Sequence, residues 1–183
     1  MNRALLVIDV QESFRARSED WQRIDNPDIV TRVNRLVEAA RANGDMVVWI
    51  MHAEPGSDTV FDPAGGQVRL MDGVDRHDEE PLIVKTFINA FTTTNLQQRL
   101  VQHGVREVVI CGIRTEQCCE TTARVASDLG FEVTFVTDAT TTSAIDGLSA
   151  QDIIARTERV LAAREFARIA TTDELAGASV ALA

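Results

Sequence analysis

The chain has 183 residues, 45% of them apolar, enough for one domain (1–183) with a substantial core. Its net charge of −10 argues against binding nucleic acid through phosphates or docking on an anionic membrane surface, so neither is expected as a partner. No apolar run is long enough to span a bilayer, and the start, MNRALLVIDV, lacks the small-residue cleavage site of a signal peptide, so a cytoplasmic location is expected.

Residues 4–10, ALLVIDV, are a near-continuous apolar run ending in an acid, the pattern of a buried parallel strand with Asp9 at its carboxyl end. Open α/β sheets place ligands at that end. An aspartate there also commonly caps a turn. Gln11 and Phe14 follow in a loop. Ile29, Val33, Leu36, Val37 and Ala40 keep helical spacing over 29–43, with Gly44 as the stop. Residues 46–51, MVVWIM, are a second buried strand. Residues 52–78 form a long segment rich in Pro, Gly and acids, of the kind that serves as a lid or binding loop or stays disordered. A third strand, 81–87, carries Lys85 near its end. It is either a snorkelling surface lysine or, beside a carboxylate and a thiol, a stabiliser of anions. A helix then places Leu96, Leu100 and Val101 on one face and closes at Gly104.

The stretch 107–130, EVVICGIRTEQCCETTARVASDLG, reads as strand, turn and helix. Gly112 ends the strand, Thr115 is placed to N-cap the helix, and Gly130 stops it. Cys118 falls in the first helical turn, where backbone N–H groups and the helix dipole favour negative charge. A thiol there should ionise more easily and act as a nucleophile beside oxyanion donors. A free cysteine is equally well a small buried hydrophobe. Three clustered cysteines, Cys111, Cys118 and Cys119, make no disulfide framework. A fifth strand over 131–136, a helix capped by Ser149 and running to about Ala163, a short sixth strand at 167–170 and a turn at 173–176 complete the pattern, and the tail 177–183 is expected to fray.

Strands alternating with helices predict a three-layer α/β fold, with a six-stranded, mostly parallel sheet covered on both faces. Right-handed crossovers bring every strand's carboxyl end to one edge, and with them Asp9, Lys85 and the helix start at Cys118.

Taken in order, these residues resemble the isochorismatase-like cysteine hydrolases, which include nicotinamidases and N-carbamoylsarcosine amidase. The first motif, a strand ending in D-x-Q-x-x-F, is met by Asp9, Gln11 and Phe14. The second, a strand ending in lysine with a phenylalanine and T-x-L beyond it, is met by Lys85, Phe91, Thr94 and Leu96. The third, G-x-x-T-[DE]-x-C-[VC]-x-x-T-A, is met by Gly112, Thr115, Glu116, Cys118, Cys119, Thr122 and Ala123, and a later strand ends in Asp138-Ala139. The resemblance implies a Rossmann-like fold and a catalytic triad of Asp9, Lys85 and Cys118. It also implies a cis peptide before Arg114 and an oxyanion hole from the backbone N–H groups of Arg114 and Cys118. The expected activity is cysteine-dependent hydrolysis of a C–N bond (amide, ureide or carbamoyl) in a small molecule through an acyl-thioester. The expected assembly is a homo-oligomer, dimer or tetramer. Gln11, Phe14, Trp21, Asn89, Phe91 and Arg114 are the candidate substrate-binding residues, with Phe91 equally readable as core. Arg114 is large where the family is often small. Its guanidinium either enters the pocket to meet a substrate carboxylate or points to solvent or a neighbouring subunit.

Nicotinamidases of the superfamily carry a D-x-H metal site after the second strand, where this chain reads HAEPGSD, with His52 and His77 lacking the spacing. No metal and no cofactor is therefore expected, and nicotinamide is disfavoured as substrate. Cys118 argues against isochorismatase chemistry, whose enzymes lack the nucleophile. A non-hydrolytic scaffold or a thiol redox sensor is the alternative of a different class. A dinucleotide-binding role is set aside because G-x-G-x-x-G is missing.

Overall fold

The computed structural model describes residues 2–177. Its centre is a six-stranded sheet of β1 (Arg3–Ile8), β2 (Met46–His52), β3 (Leu82–Lys85), β4 (Glu107–Ile113), β5 (Glu132–Thr141) and β6 (Arg168–Ala170). The strands lie in the order β3-β2-β1-β4-β5-β6, and every pairing is parallel. The near-continuous apolar runs are explained by the pleat, which sends alternate residues to two buried faces. Ala4, Leu6, Ile8, Val48, Ile50, Val108 and Ile110 pack on one face; Leu5, Val7, Val47, Trp49, Val109 and Cys111 pack on the other. Each such side chain contributes about 1.5–3 kcal/mol when fully buried.

Seven helices are described: α1 (Glu12–Ala16), α2 (Ser18–Trp21), α3 (Ile29–Ala42), α4 (Leu96–Gln102), α5 (Glu120–Asp128), α6 (Ala150–Ala163) and α7 (Thr172–Gly177). Buried side chains of α3 join the Trp49 face, and those of α4, α5 and α6 join the Ile50 face. The expected helix caps hold at Ser149, which forms a reciprocal capping box with Asp152. Val101 departs from expectation: it is exposed while Leu96 and Leu100 are buried, because the short α4 presents only its i, i+4 pair to the sheet. The segment read as loop after β1 contains α1 and α2, helices too short to show periodicity. Most of the frayed tail expected at 177–183 lies outside the described residues. No helix among the described residues is long and apolar enough to cross a membrane.

The long segment after β2 is folded back over the sheet edge. Gln11 bridges to Leu70, Met71 N–H donates to Val10 O at 3.0 Å, and Glu12 N–H donates to Arg69 O at 2.9 Å. Phe61 and Met71 of this segment enter the core beside Phe14, whose ring meets Phe61 edge-on at 5.1 Å.

β4 does not stop at Gly112, as expected, but passes through it. Gly112 pairs with Ile8 and has φ +128°, and a Cβ placed there would lie 1.9 Å from Ile8 O. No side chain fits that approach, and it is what lets the ends of β1 and β4 lie side by side. Gly112→Ala is therefore expected to lower stability by at least about 3 kcal/mol in urea denaturation, because strained φ and backbone overlap add. Gly104→Ala, at φ +68° with open space around it, should lose only about 1–2 kcal/mol. Equal losses would contradict the close-approach reading.

Candidate active site

β1 gives out at Ile8, and the chain turns at Asp9, whose φ of +54° is a left-handed value that aspartate tolerates better than most residues. The Asp9 N–H adds one last rung, donating to Ile50 O at 2.8 Å. Beyond it the side chain of Gln11 takes the place of backbone. Its Oε1 accepts from His52 N–H at 2.7 Å, and its Nε2 donates to His52 O at 2.9 Å and Ser13 Oγ at 3.0 Å.

Lys85 ends β3, paired with His52 across the ladder. Its Nζ lies 2.8 Å from Asp9 Oδ2, 3.5 Å from Cys118 Sγ and 3.2 Å from Phe87 O, three acceptors for three ammonium hydrogens. Asp9 and Lys85 have no solvent exposure, and Cys118 has 5%. The Asp9–Lys85 approach is a buried ion pair, and the Asp9 carboxylate is drawn on by both Lys85 and the Cys118 thiol. Cys118 sits in a π-helical turn, Thr115–Cys119, that runs into α5. The turn winds around one carbonyl: Gln117 N–H (3.3 Å) and Cys119 N–H (3.1 Å) both donate to Arg114 O, and neither bond uses the Cys118 N–H. The Ile113–Arg114 peptide is cis. Thr115 does not cap the helix as expected. Its hydroxyl bonds Thr140 Oγ1 at 2.8 Å and fastens the turn to β5.

Burial works against the acidified thiol expected from the helix start. It pushes the Cys118 thiol well up, the neighbouring Asp9 carboxylate pushes it further, and only Lys85 pulls it down. Burial also raises Asp9, against the opposing pull of Lys85, Cys118 and His52. Both shifts run the same way, toward a thiol that holds its proton and a carboxylate more basic than usual.

The isochorismatase domain family matches residues 3–174. The chain belongs to the isochorismatase family. Among its relatives is an Arabidopsis thaliana protein named as a nicotinamidase with the qualifier inactive, 35% identical over 157 residues, covering 76% of this chain and 80% of its own. Nicotinamidase 3 of the same plant is 32% identical over 152 residues, covering 76% and 73%. A crystal structure of an isochorismatase-family protein from Chromobacterium violaceum superposes with a TM-score of 0.87 at 26% identity, covering 99% of this chain and 95% of that one. This isochorismatase-family chain is therefore a hydrolase by kinship, on the six-stranded fold that its sequence pattern predicts.

The remaining expected residues divide. Phe14, Trp21 and Arg114 line one cleft together with Asp20, Ile24, Ile113, Thr141 and Thr142. The Arg114 guanidinium faces it, held by Ser143 Oγ and by Asp20 at 3.1 Å, and stacked 5.8 Å over Phe14. Its charge is already offset by Asp20. Gln11 has both amide hydrogens spent on the scaffold, so it ties β1 to β2. Asn89 shapes the turn after β3, its Oδ1 accepting from Phe91 and Thr92 N–H at 2.9 Å each. Phe91 is core, stacked on Phe131 at 6.2 Å. Sequence reasoning missed Asp20 and Ser143 as holders of Arg114, since nothing in their spacing marks them. It gave His52 no role beyond a failed metal ligand, although its position at a strand's carboxyl end was a usable signal. Among the described residues no three His, Cys, Asp or Glu side chains gather in a set that could hold a metal ion.

Removing Lys85 leaves Asp9 as a buried unpaired charge. Lys85→Met should lower stability by about 3–5 kcal/mol at pH 7. The pH dependence has a fixed sign. Asp9 is raised above its ordinary 3.8, so the stability it contributes is complete below that value and is lost as pH climbs through the folded value. Without Lys85 the folded value moves further up, so the deficit of the variant should shrink as pH falls toward 4. Asp9→Asn/Lys85→Met should recover most of the loss. Urea titrations showing the same deficit at every pH would contradict this.

Proposed function

We propose that the protein hydrolyses a C–N bond, in an amide, ureide or carbamoyl group of a small molecule, with Cys118 as nucleophile. The observation that carries the reading is one ammonium, Lys85 Nζ, in contact with both Asp9 and Cys118 in a buried site. Because the thiol is neutral at rest, its proton leaves as it attacks. Asp9 takes that proton while the sulfur bonds the carbonyl carbon, and Lys85 stabilises the negative charge wherever it stands between them. The carbonyl oxygen gains the electron pair, and the backbone N–H groups of Arg114 and Cys118 are its assigned donors. Asp9 returns the proton to the nitrogen, the C–N bond breaks, and the amine departs neutral. Water then attacks the acyl-thioester and gives its proton to Asp9. The C–S bond breaks, and Asp9 reprotonates the sulfur.

Chemistry weighs against the redox-sensor alternative. Sensor thiols are exposed and acidified. Cys111, Cys118 and Cys119 are all buried, and burial pushes all three up. The non-hydrolytic scaffold remains as the competing outcome, since one relative carries the qualifier inactive in its name.

Ammonia release across a panel of small amides, ureides and carbamoyl compounds tests the reading. The parent should turn over at least one class. Cys118→Ala should abolish turnover, and Asp9→Asn should lower kcat by about 10²–10⁴-fold. Activity retained in Cys118→Ser at the parent level would rule the mechanism out.

A further inference from the structure

We propose that His52 is a further site residue whose Nδ1 accepts a hydrogen bond from an N–H group on the carbonyl carbon of the substrate. The proposal rests on the hydrolase reading above and adds the property by which the site prefers nitrogen-bearing acyl groups. His52 is the last residue of β2 and pairs in register with Lys85, so the two side chains leave the sheet on the same face. Lys85 uses that direction to reach Asp9 and Cys118. The backbone of His52 is pinned on both sides by the Gln11 amide, so the ring starts from a fixed point.

The ring's tautomer follows from its partner. His52 Nε2 lies 3.2 Å from Glu54 Oε1, and the other oxygen of Glu54 is held by the Thr59 hydroxyl at 3.2 Å. An ionised carboxylate only accepts, so the neutral ring carries its proton on Nε2, and Nδ1 keeps a lone pair. That Nδ1 is buried and has no hydrogen-bond partner among the described residues. The ring packs edge-on against Phe61, 5.5 Å between centroids. The unpaired acceptor at this corner is therefore His52 Nδ1. Lys85 cannot supply the missing donor, since its three hydrogens already face Asp9, Cys118 and Phe87 O. The site is short of donors, and a substrate N–H supplies one. An ester oxygen or a methyl group in that place leaves the lone pair unpaired, the arrangement by which an enzyme rejects an analogue lacking one hydrogen.

Two chromogenic probes separate this from a structural role: p-nitrophenyl carbamate, with NH2 on the carbonyl carbon, and p-nitrophenyl acetate, with CH3 there and the same leaving group. The parent should prefer the carbamate once both rates are corrected for hydrolysis in buffer. His52→Phe should lower kcat/KM for the carbamate about 10- to 100-fold and leave the acetate within about twofold. Glu54→Gln, which frees the ring to adopt the other tautomer, should lower the carbamate rate selectively as well. Equal losses on both probes, no loss on either, or no carbamate preference in the parent would overturn the role of His52. Failure of the hydrolase reading looks different: Cys118→Ser would then cleave the acetate as fast as the parent does.

Discussion

A carboxylate and an ammonium, both without solvent exposure, stand 2.8 Å apart at the carboxyl edge of the sheet. A buried pair of this kind rarely stabilises a fold better than well-packed hydrocarbon would, because desolvating two charges offsets most of their attraction. Its presence makes sense through the third member. The thiol of Cys118 lies against the same ammonium, and neither its proton nor that of Asp9 can move without the other responding. In the proposed mechanism one proton passes between the carboxylate and the sulfur, with Lys85 as the countercharge beside both.

The rest of the architecture serves to hold that contact. The strand order β3-β2-β1-β4-β5-β6 reverses direction between β1 and β4, and the crevice at such a switch point is where ligands enter open α/β sheets. Asp9 comes from the end of β1, Lys85 from β3 and Cys118 from the turn after β4. Gly112 allows β4 to pass against Ile8 O, and the Gln11 amide extends the β1–β2 ladder by the length of one side chain. The segment carrying Phe61 and Met71 packs into the core on the Trp49 face and hydrogen-bonds to Val10 and Glu12 just beyond β1. Covalent continuity among these elements is remote, so the geometry depends on packing of both faces of the sheet.

Much of this was legible before any coordinates. Apolar runs of strand length interrupted by helical periodicity dictate a parallel sheet, and a parallel sheet puts Asp9, Lys85 and Cys118 on one edge. The pattern was blind to short or irregular pieces. α1 and α2 have too few residues to show a period, and a π turn has none that differs visibly from an α-helix. It also misassigned groups whose role is decided by neighbours distant in sequence. Thr115 looked like a cap and is a tether to Thr140; Gln11 looked like a ligand-binding amide and is a strand extender. The forces on the thiol were only half visible for the same reason. Proximity to a helix start is visible in a sequence, whereas burial beside an aspartate is not.

The central claim concerns where the proton rests, and ultraviolet difference absorbance near 240 nm reads it directly, because a thiolate absorbs there and a thiol does not. The parent minus Cys118→Ser difference should show no thiolate at pH 7 and none until well into the alkaline range, since burial and Asp9 both push the Cys118 thiol up. A thiolate step below pH 7 assigned to Cys118 would contradict the account. It would show that Lys85 outweighs burial and that the nucleophile is ionised before any substrate arrives.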